Sequence, residues 1–199
     1  MLAILLASCL HASPNEATFD FRGLGWGTSP ELALQKMPLL VPGDRNENQR
    51  LADYWGVDEL SSLVGADKVD GTPGQLTLTF HRGRLVSVAL VFSPPTDRSN
   101  FVADFRRKLS LLEKKYGAPD MKMVQCLSVK LRTMNEANCL TTPNLNLVAG
   151  WDGPKNNRTK IVILAQDAAD KAEFAIRYFD MVAARSWNDA KTQSALKDL

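Results

Sequence analysis

Residues 75–92 read QLTLTFHRGRLVSVALVF, two runs of strand-like character separated by His81, Arg82 and Gly83. Leu76, Leu78 and Phe80 fall on one side of the first run and Thr77 and Thr79 on the other, the period of two that a strand with one buried face requires. The second run, Arg84 to Phe92, is short, apolar and rich in β-branched residues, and it reads as the antiparallel partner. The length of the turn sets which side chains meet. A two-residue turn puts Leu76 and Leu78 opposite Ala89 and Ser87, whereas a three-residue loop with Gly83 in the left-handed region puts them opposite Val88 and Val86. The apolar match selects the three-residue loop and a face made of Leu76, Leu78, Phe80, Val86, Val88, Leu90 and Phe92.

Upstream, Gly23, Gly25 and Gly27 interrupt any regular element, and a short helix follows to Met37. Thr28 or Ser29 can cap it, Pro30 suits its first turn, Glu31 completes a Thr-x-x-Glu box and Pro38 stops it. Residues 41–74 are rich in turn formers, with Tyr54–Val57 a candidate strand. Downstream, Phe101, Phe105, Leu109 and Leu112 recur at helical spacing, with Ser99 or Asn100 as cap, Gly117 past the end and Pro119 as a stop. Strands follow at Val124–Leu131, Leu145–Trp151, Lys160–Ala165 and Phe174–Phe179, and the tail turns helical near Trp187. The expectation is an α+β fold, an antiparallel meander sheet with helices packed on one face, the helix–meander pattern occurring twice. The halves span about residues 19–97 and 98–182 of a body at 19–182, followed by a partly frayed tail at 183–199.

Residues 1–18 read as an address and tether. Leu2 to Ala7 form an apolar run followed by small residues, as a secretory signal requires, although no Lys or Arg precedes them. Leu6-Ala7-Ser8-Cys9 resembles the bacterial lipobox, in which the Cys is lipidated, and cleavage after Ala12 would leave Leu10 poorly placed for ordinary signal peptidase. Leu10 after the Cys resembles outer-membrane sorting. The expectation is an exported, periplasmic protein held to the outer membrane through lipid on Cys9. The competing reading is a buried terminal segment of a cytosolic protein. Cys126 and Cys139 remain, an even number flanking an alternating strand and a polar turn, and an antiparallel return would bring them close enough for a disulfide. Two separate buried thiols are the alternative.

With 45% apolar and 23% charged residues the chain can bury a core, and a formal charge of only +2 gives no nucleic-acid footprint. No downstream run approaches the ~20 apolar residues needed to span a bilayer, so membrane association is expected through the N-terminus alone.

Three stretches, FRGLGWGTSPELA at 21–33, FHRGRLVSVALVF at 80–92 and LSLLEKKYGAPD at 109–120, carry a resemblance. They are similar to bacterial exported proteins and lipoproteins of unknown function. In these a Gly-Trp-Gly turn launches a helix, a Phe-x-x-Gly-[Lys/Arg]-Leu hairpin follows, and Lys-Tyr-Gly-x-Pro ends a second helix. These motifs are glycine turns and core aromatics, so the resemblance implies a two-layer fold and assigns no catalytic residue.

Chemistry-bearing residues are sparse. The chain has two histidines, His11 beside Cys9 and His81 in the hairpin, where a solvated loop side chain is expected rather than a zinc ligand or catalytic base. Asp67 and Asp70 before Gly71 lack the later oxygens of a calcium loop and read as a turn. Met121, Met123 and Met134 could offer sulfur to Cu(I), but core filling is the commoner use. No catalytic residue, metal or cofactor is expected. Tyr54, Trp55 and Trp187 are the candidate recognition aromatics, and Trp26 and Trp151 are assigned to the core. Arg107, Lys108, Lys114 and Lys115 form a basic cluster on the polar side of the second helix, a solvated face or a surface for an anionic partner. A non-catalytic envelope lipoprotein that binds or scaffolds another envelope protein fits these features better than the alternative, an exported hydrolase-like enzyme using Asp and Glu.

Overall fold

A computed structural model describes residues 19–93, 98–126, 145–152, 158–168 and 171–187. In chain order its elements are α1 (Pro30–Lys36), β1 (Val41–Pro42), α2 (Arg45–Trp55), β2 (Leu60–Val69), β3 (Thr72–His81), β4 (Arg84–Phe92), α3 (Arg98–Tyr116), β5 (Met121–Cys126), β6 (Leu145–Asp152), β7 (Thr159–Ala168) and β8 (Lys171–Asp180). Residues 181–187 are also helical. The strands form one open antiparallel sheet of eight, ordered β1-β2-β3-β4-β8-β7-β6-β5.

The fold is α+β, with the helix–meander pattern stated twice. The last strand of each statement is where the two meet. β4 runs antiparallel to β8, with Val88 opposite Tyr178 and Leu90 opposite Ile176. Outward from that seam, β3 and β2 on one side answer β7 and β6 on the other. This is the arrangement of a two-fold axis standing on the sheet between β4 and β8.

Alternation decides which face is buried. Leu63, Leu76, Leu78 and Phe80 from the first meander share a core with Leu147, Trp151, Ile163 and Ile176 from the second, and α1 and α3 cover that face through Ala33, Phe101, Phe105 and Leu112. Each fully buried side chain of this size contributes about 1.5–3 kcal/mol. The glycine motifs hold the helix ends to the sheet. Gly27 N–H donates to Leu85 O and Leu85 N–H to Thr28 O, while Trp26 stacks on Phe19 and donates to Thr159 Oγ1 at the start of β7. Gly117 ends α3 at φ +87°, and its carbonyl accepts from the buried Trp151 indole at 2.8 Å.

The β3–β4 hairpin differs from the expected loop. Its turn has two residues, Arg82 and Gly83, with φ of +49° and +69°. His81 pairs with Arg84 and Phe80 with Leu85, yet Thr79 pairs with Ser87, so Val86 is the extra residue of a β-bulge. The bulge moves the register by one and restores the apolar match, putting Leu78 opposite Val88 and Leu76 opposite Leu90. Leu85 takes the place in the core cluster that the longer loop would assign to Val86.

Tyr54–Val57 is likewise not a strand. Tyr54 and Trp55 end α2, which Asp44 caps by accepting from Glu47 N–H and which Gly56 terminates in the left-handed region. At α1 the capping side chain is Ser29, accepting from Leu32 N–H, and Thr28 instead donates to Gly25 O. α2 lies behind the sheet from α3. Its Asn48 accepts from Ser62, whose pleat position is opposite that of the core residue Leu63.

Candidate functional site

The richest cluster of polar and aromatic side chains gathers where the β3–β4 hairpin, the C-terminal end of α2 and residues 181–187 converge. Gly56 turns the chain out of α2 at φ +67°, which leaves Tyr54 77% exposed and brings Trp55 against Trp187, ring centroids 4.9 Å apart and planes 23° from parallel. Asp180 anchors the start of the helical segment. One carboxylate oxygen accepts from Val182 N–H, and the other pairs with Arg158 at 3.2 Å. Trp187 then meets His81 edge-on, and its Nε1–H donates to His81 Nδ1 at 3.2 Å.

Asp58 completes the cluster. Arg82 grips both of its oxygens, at 3.2 and 2.8 Å, and His81 Nε2 lies 3.3 Å from Oδ1. The Arg82 hydrogen bonds, followed by that of His81, hold the Asp58 carboxyl down at about 2, well below the usual aspartate value, and the same contacts raise Arg82. A carboxylate so strongly kept in its ionised form is a poor proton acceptor near neutrality and no proton donor at all.

Other carboxylates are similarly engaged. Arg22 clamps Asp67 with two bonds of 2.7 Å, Arg107 spans Asp70 and Asp104 at 2.8 Å each, Lys122 meets Glu113 at 2.6 Å, and Arg177 meets Glu173. Asp70 and Gly71, at φ +50° and +73°, form the β2–β3 turn. Asp58 and Glu59 do border a recess of about 550 Å³ between α2 and β2, whose walls also include Arg45, Asn48, Gln49, Ser61 and Ser62. Among the described residues no three His, Cys, Asp or Glu side chains are grouped so as to hold a metal ion, and no helix is long and apolar enough to cross a membrane.

Three residues expected at the surface are largely covered. Trp187 is 9% exposed, covered by Trp55 and His81, and it braces Trp55 rather than presenting itself. Lys108 has no exposed area. It occupies the same helical stripe as Phe101, Phe105 and Leu112, and its ammonium lies 4.7 and 5.0 Å from the ring centroids of Phe92 and Phe174 with a hydrogen bond to Thr72 Oγ1. Burial lowers its pKa, and the charges of Asp104 and Asp70 oppose that shift. The basic cluster therefore loses Lys108 and has Arg107 offset by two carboxylates, leaving Lys114 and Lys115 exposed, the latter 5.1 Å from the Tyr116 ring. His81, expected in solvent, has a side chain only 17% exposed.

Cys9, Cys139 and Met134 lie outside the described residues, so neither the lipid site nor the proposed cysteine pair has a geometry to report; Cys126 is the last residue of β5. The link between His81 and Trp187 joins positions 106 residues apart, and no local pattern in the sequence announces it. No family model matches the chain, and no curated protein or solved structure does.

Proposed function

We propose that this chain is a non-catalytic module of a bacterial cell envelope, tethered by lipid on Cys9, that binds another envelope protein through the aromatic surface around Tyr54 and Trp55. The observation that carries the reading is Tyr54, 77% exposed at the end of a helix whose next residue is braced by a second tryptophan. A large aromatic ring held on a rigid base loses little conformational freedom when a partner covers it, which is why such residues anchor interfaces. The carboxylate-dependent hydrolase is the weaker reading, because Asp58, the one strongly perturbed carboxyl group at the cluster, is shifted in the direction that removes acid–base ability near pH 7.

The test is co-purification of the full chain from detergent-solubilised envelope, comparing wild type with Tyr54→Ala and Tyr54→Arg. The partner should be lost from both variants while their melting curves stay within about 0.5 kcal/mol of wild type, as for other exposed positions. Unchanged capture would remove this surface from the proposal. In parallel, Cys9→Ser should leave the detergent phase; unchanged partitioning would remove the lipid tether.

A further inference from the structure

His81 closes β3 with both ring nitrogens engaged. An indole N–H only donates, so the bond from Trp187 Nε1 requires a lone pair on His81 Nδ1. The proton of the neutral ring then sits on Nε2, toward Asp58 Oδ1. A second proton could go only to Nδ1, where it would set N–H against N–H at 3.2 Å. Docked Trp187 and a charged His81 are incompatible in this geometry.

We propose that His81 is a pH-operated latch on the helical segment 181–187: the neutral ring holds Trp187 down, and protonation releases it. The surrounding charges set the direction. Asp58, in the loop before β2, faces Nε2 and favours the imidazolium, while Arg82 in the turn shares that carboxylate and opposes it. Glu59 accepts from Arg82 N–H through its carbonyl, Arg84 is the cross-strand partner of His81, and Arg185 lies on the segment itself. α2 contributes the uncharged ring of Trp55. Protonation strengthens the Asp58 contact and destroys only the Trp187 one. By linkage, docking opposes protonation by the same factor that protonation opposes docking. Release strips Trp55 of its stacking partner and uncovers two indole faces, with Asp180 still holding the start of the segment. The latch stands on the His81–Trp187 geometry and does not depend on the partner-binding role of Tyr54.

Proton–nitrogen correlation spectra of the full chain, taken from about pH 8 to 5 where histidines gain charge, test it. Two other indoles with described acceptors are internal controls: Trp26 donates to Thr159 Oγ1 and Trp151 to Gly117 O. As His81 titrates, the Trp187 indole should leave its hydrogen-bonded position and exchange with solvent about tenfold faster, within the usual range of such couplings. Trp26 and Trp151 should stay put. His81→Phe should abolish the response, and Asp58→Asn should move its midpoint to lower pH. A Trp187 indole that is unmoved while His81 titrates, or that moves equally in His81→Phe, overturns the latch, as does a His81 that takes up no proton above pH 5. Should His81→Phe fail to fold, Trp187→Phe serves in its place. His81 must then titrate at higher pH than in wild type, and an unchanged midpoint overturns the proposal.

Discussion

Lys108, a lysine with no exposed surface, holds its ammonium 4.7 Å from the ring centroid of Phe92. The ring faces of Phe92 and Phe174 and one hydroxyl replace part of the lost hydration, but burial still works against the charge.

Lys108→Met keeps the stem and removes the charge, so it should lie within about 1 kcal/mol of wild type, because buried charges are often replaced by apolar groups of similar volume without loss. Lys108→Ala should lose about 2–4 kcal/mol through the cavity it leaves. The folded pKa of Lys108 is lowered, so the unfolded chain binds the proton more tightly and the wild type carries a penalty at neutral pH. That penalty shrinks as pH rises through the folded pKa toward the unfolded value near ~10.4. Wild type should therefore gain on Lys108→Met over that window in pH-dependent melts. Comparing the pair cancels the opposing alkaline effect of Tyr178, whose hydroxyl burial pushes strongly upward.

The two-residue turn makes Arg82 and Gly83 both strained positions for a β-branched side chain. Gly83→Val and Arg82→Val should each cost about 1–3 kcal/mol, and Arg82→Asn should cost less, since asparagine tolerates the left-handed region and gives up only the exposed Asp58 contact. Thermal melts in which Arg82→Val is harmless would point back to a three-residue loop.

Asp58 contributes to stability above its unfolded pKa, and that contribution fades as pH falls from about 4 toward about 2. Asp58→Asn should flatten this part of the acid limb and leave the rest of the profile parallel to wild type. The group is exposed, so solvent screens the contact, the change is small and it is best read from paired melts at several pH values.

Under the proposed export, Cys126 and Cys139 should be joined in the mature protein. In the chain-entropy model a loop of this length contributes roughly 3 kcal/mol. Peptide mapping without reductant should give one linked peptide, and two free thiols would remove both this bond and one support for export.

Much of the second layer is legible in the sequence because its signals are local. Alternation in Leu76, Leu78 and Phe80 and in Leu145, Leu147, Ala149 and Trp151 reports a strand with one buried face, wherever that strand lies in the sheet. α3 announces itself by its apolar spacing and by Gly117. α2 escapes a reading of the sequence, and its end reads as a strand, because its polar composition hides the apolar period that draws attention to a helix; only Asp44 three residues before Glu47 and Gly56 mark its ends. Even Lys108 stands in phase with Phe105 and Leu112, where only a preference for solvated lysines argues against burial.

By itself, then, the sequence determined the α+β class, α1, α3 and the strands whose alternation is local, while α2, β2 and the length of the β3–β4 turn were not read from it. The tertiary structure decided the rest. Whether β4 meets β8, whether Val86 is bulged out of register, and whether Trp187 reaches His81 all depend on which distant surfaces exclude water together. Trp55 and Trp187 show the difference most plainly: as sequence they are two exposed-looking aromatics 132 residues apart, and as structure one supports the other because stacking removes two apolar faces from water at once.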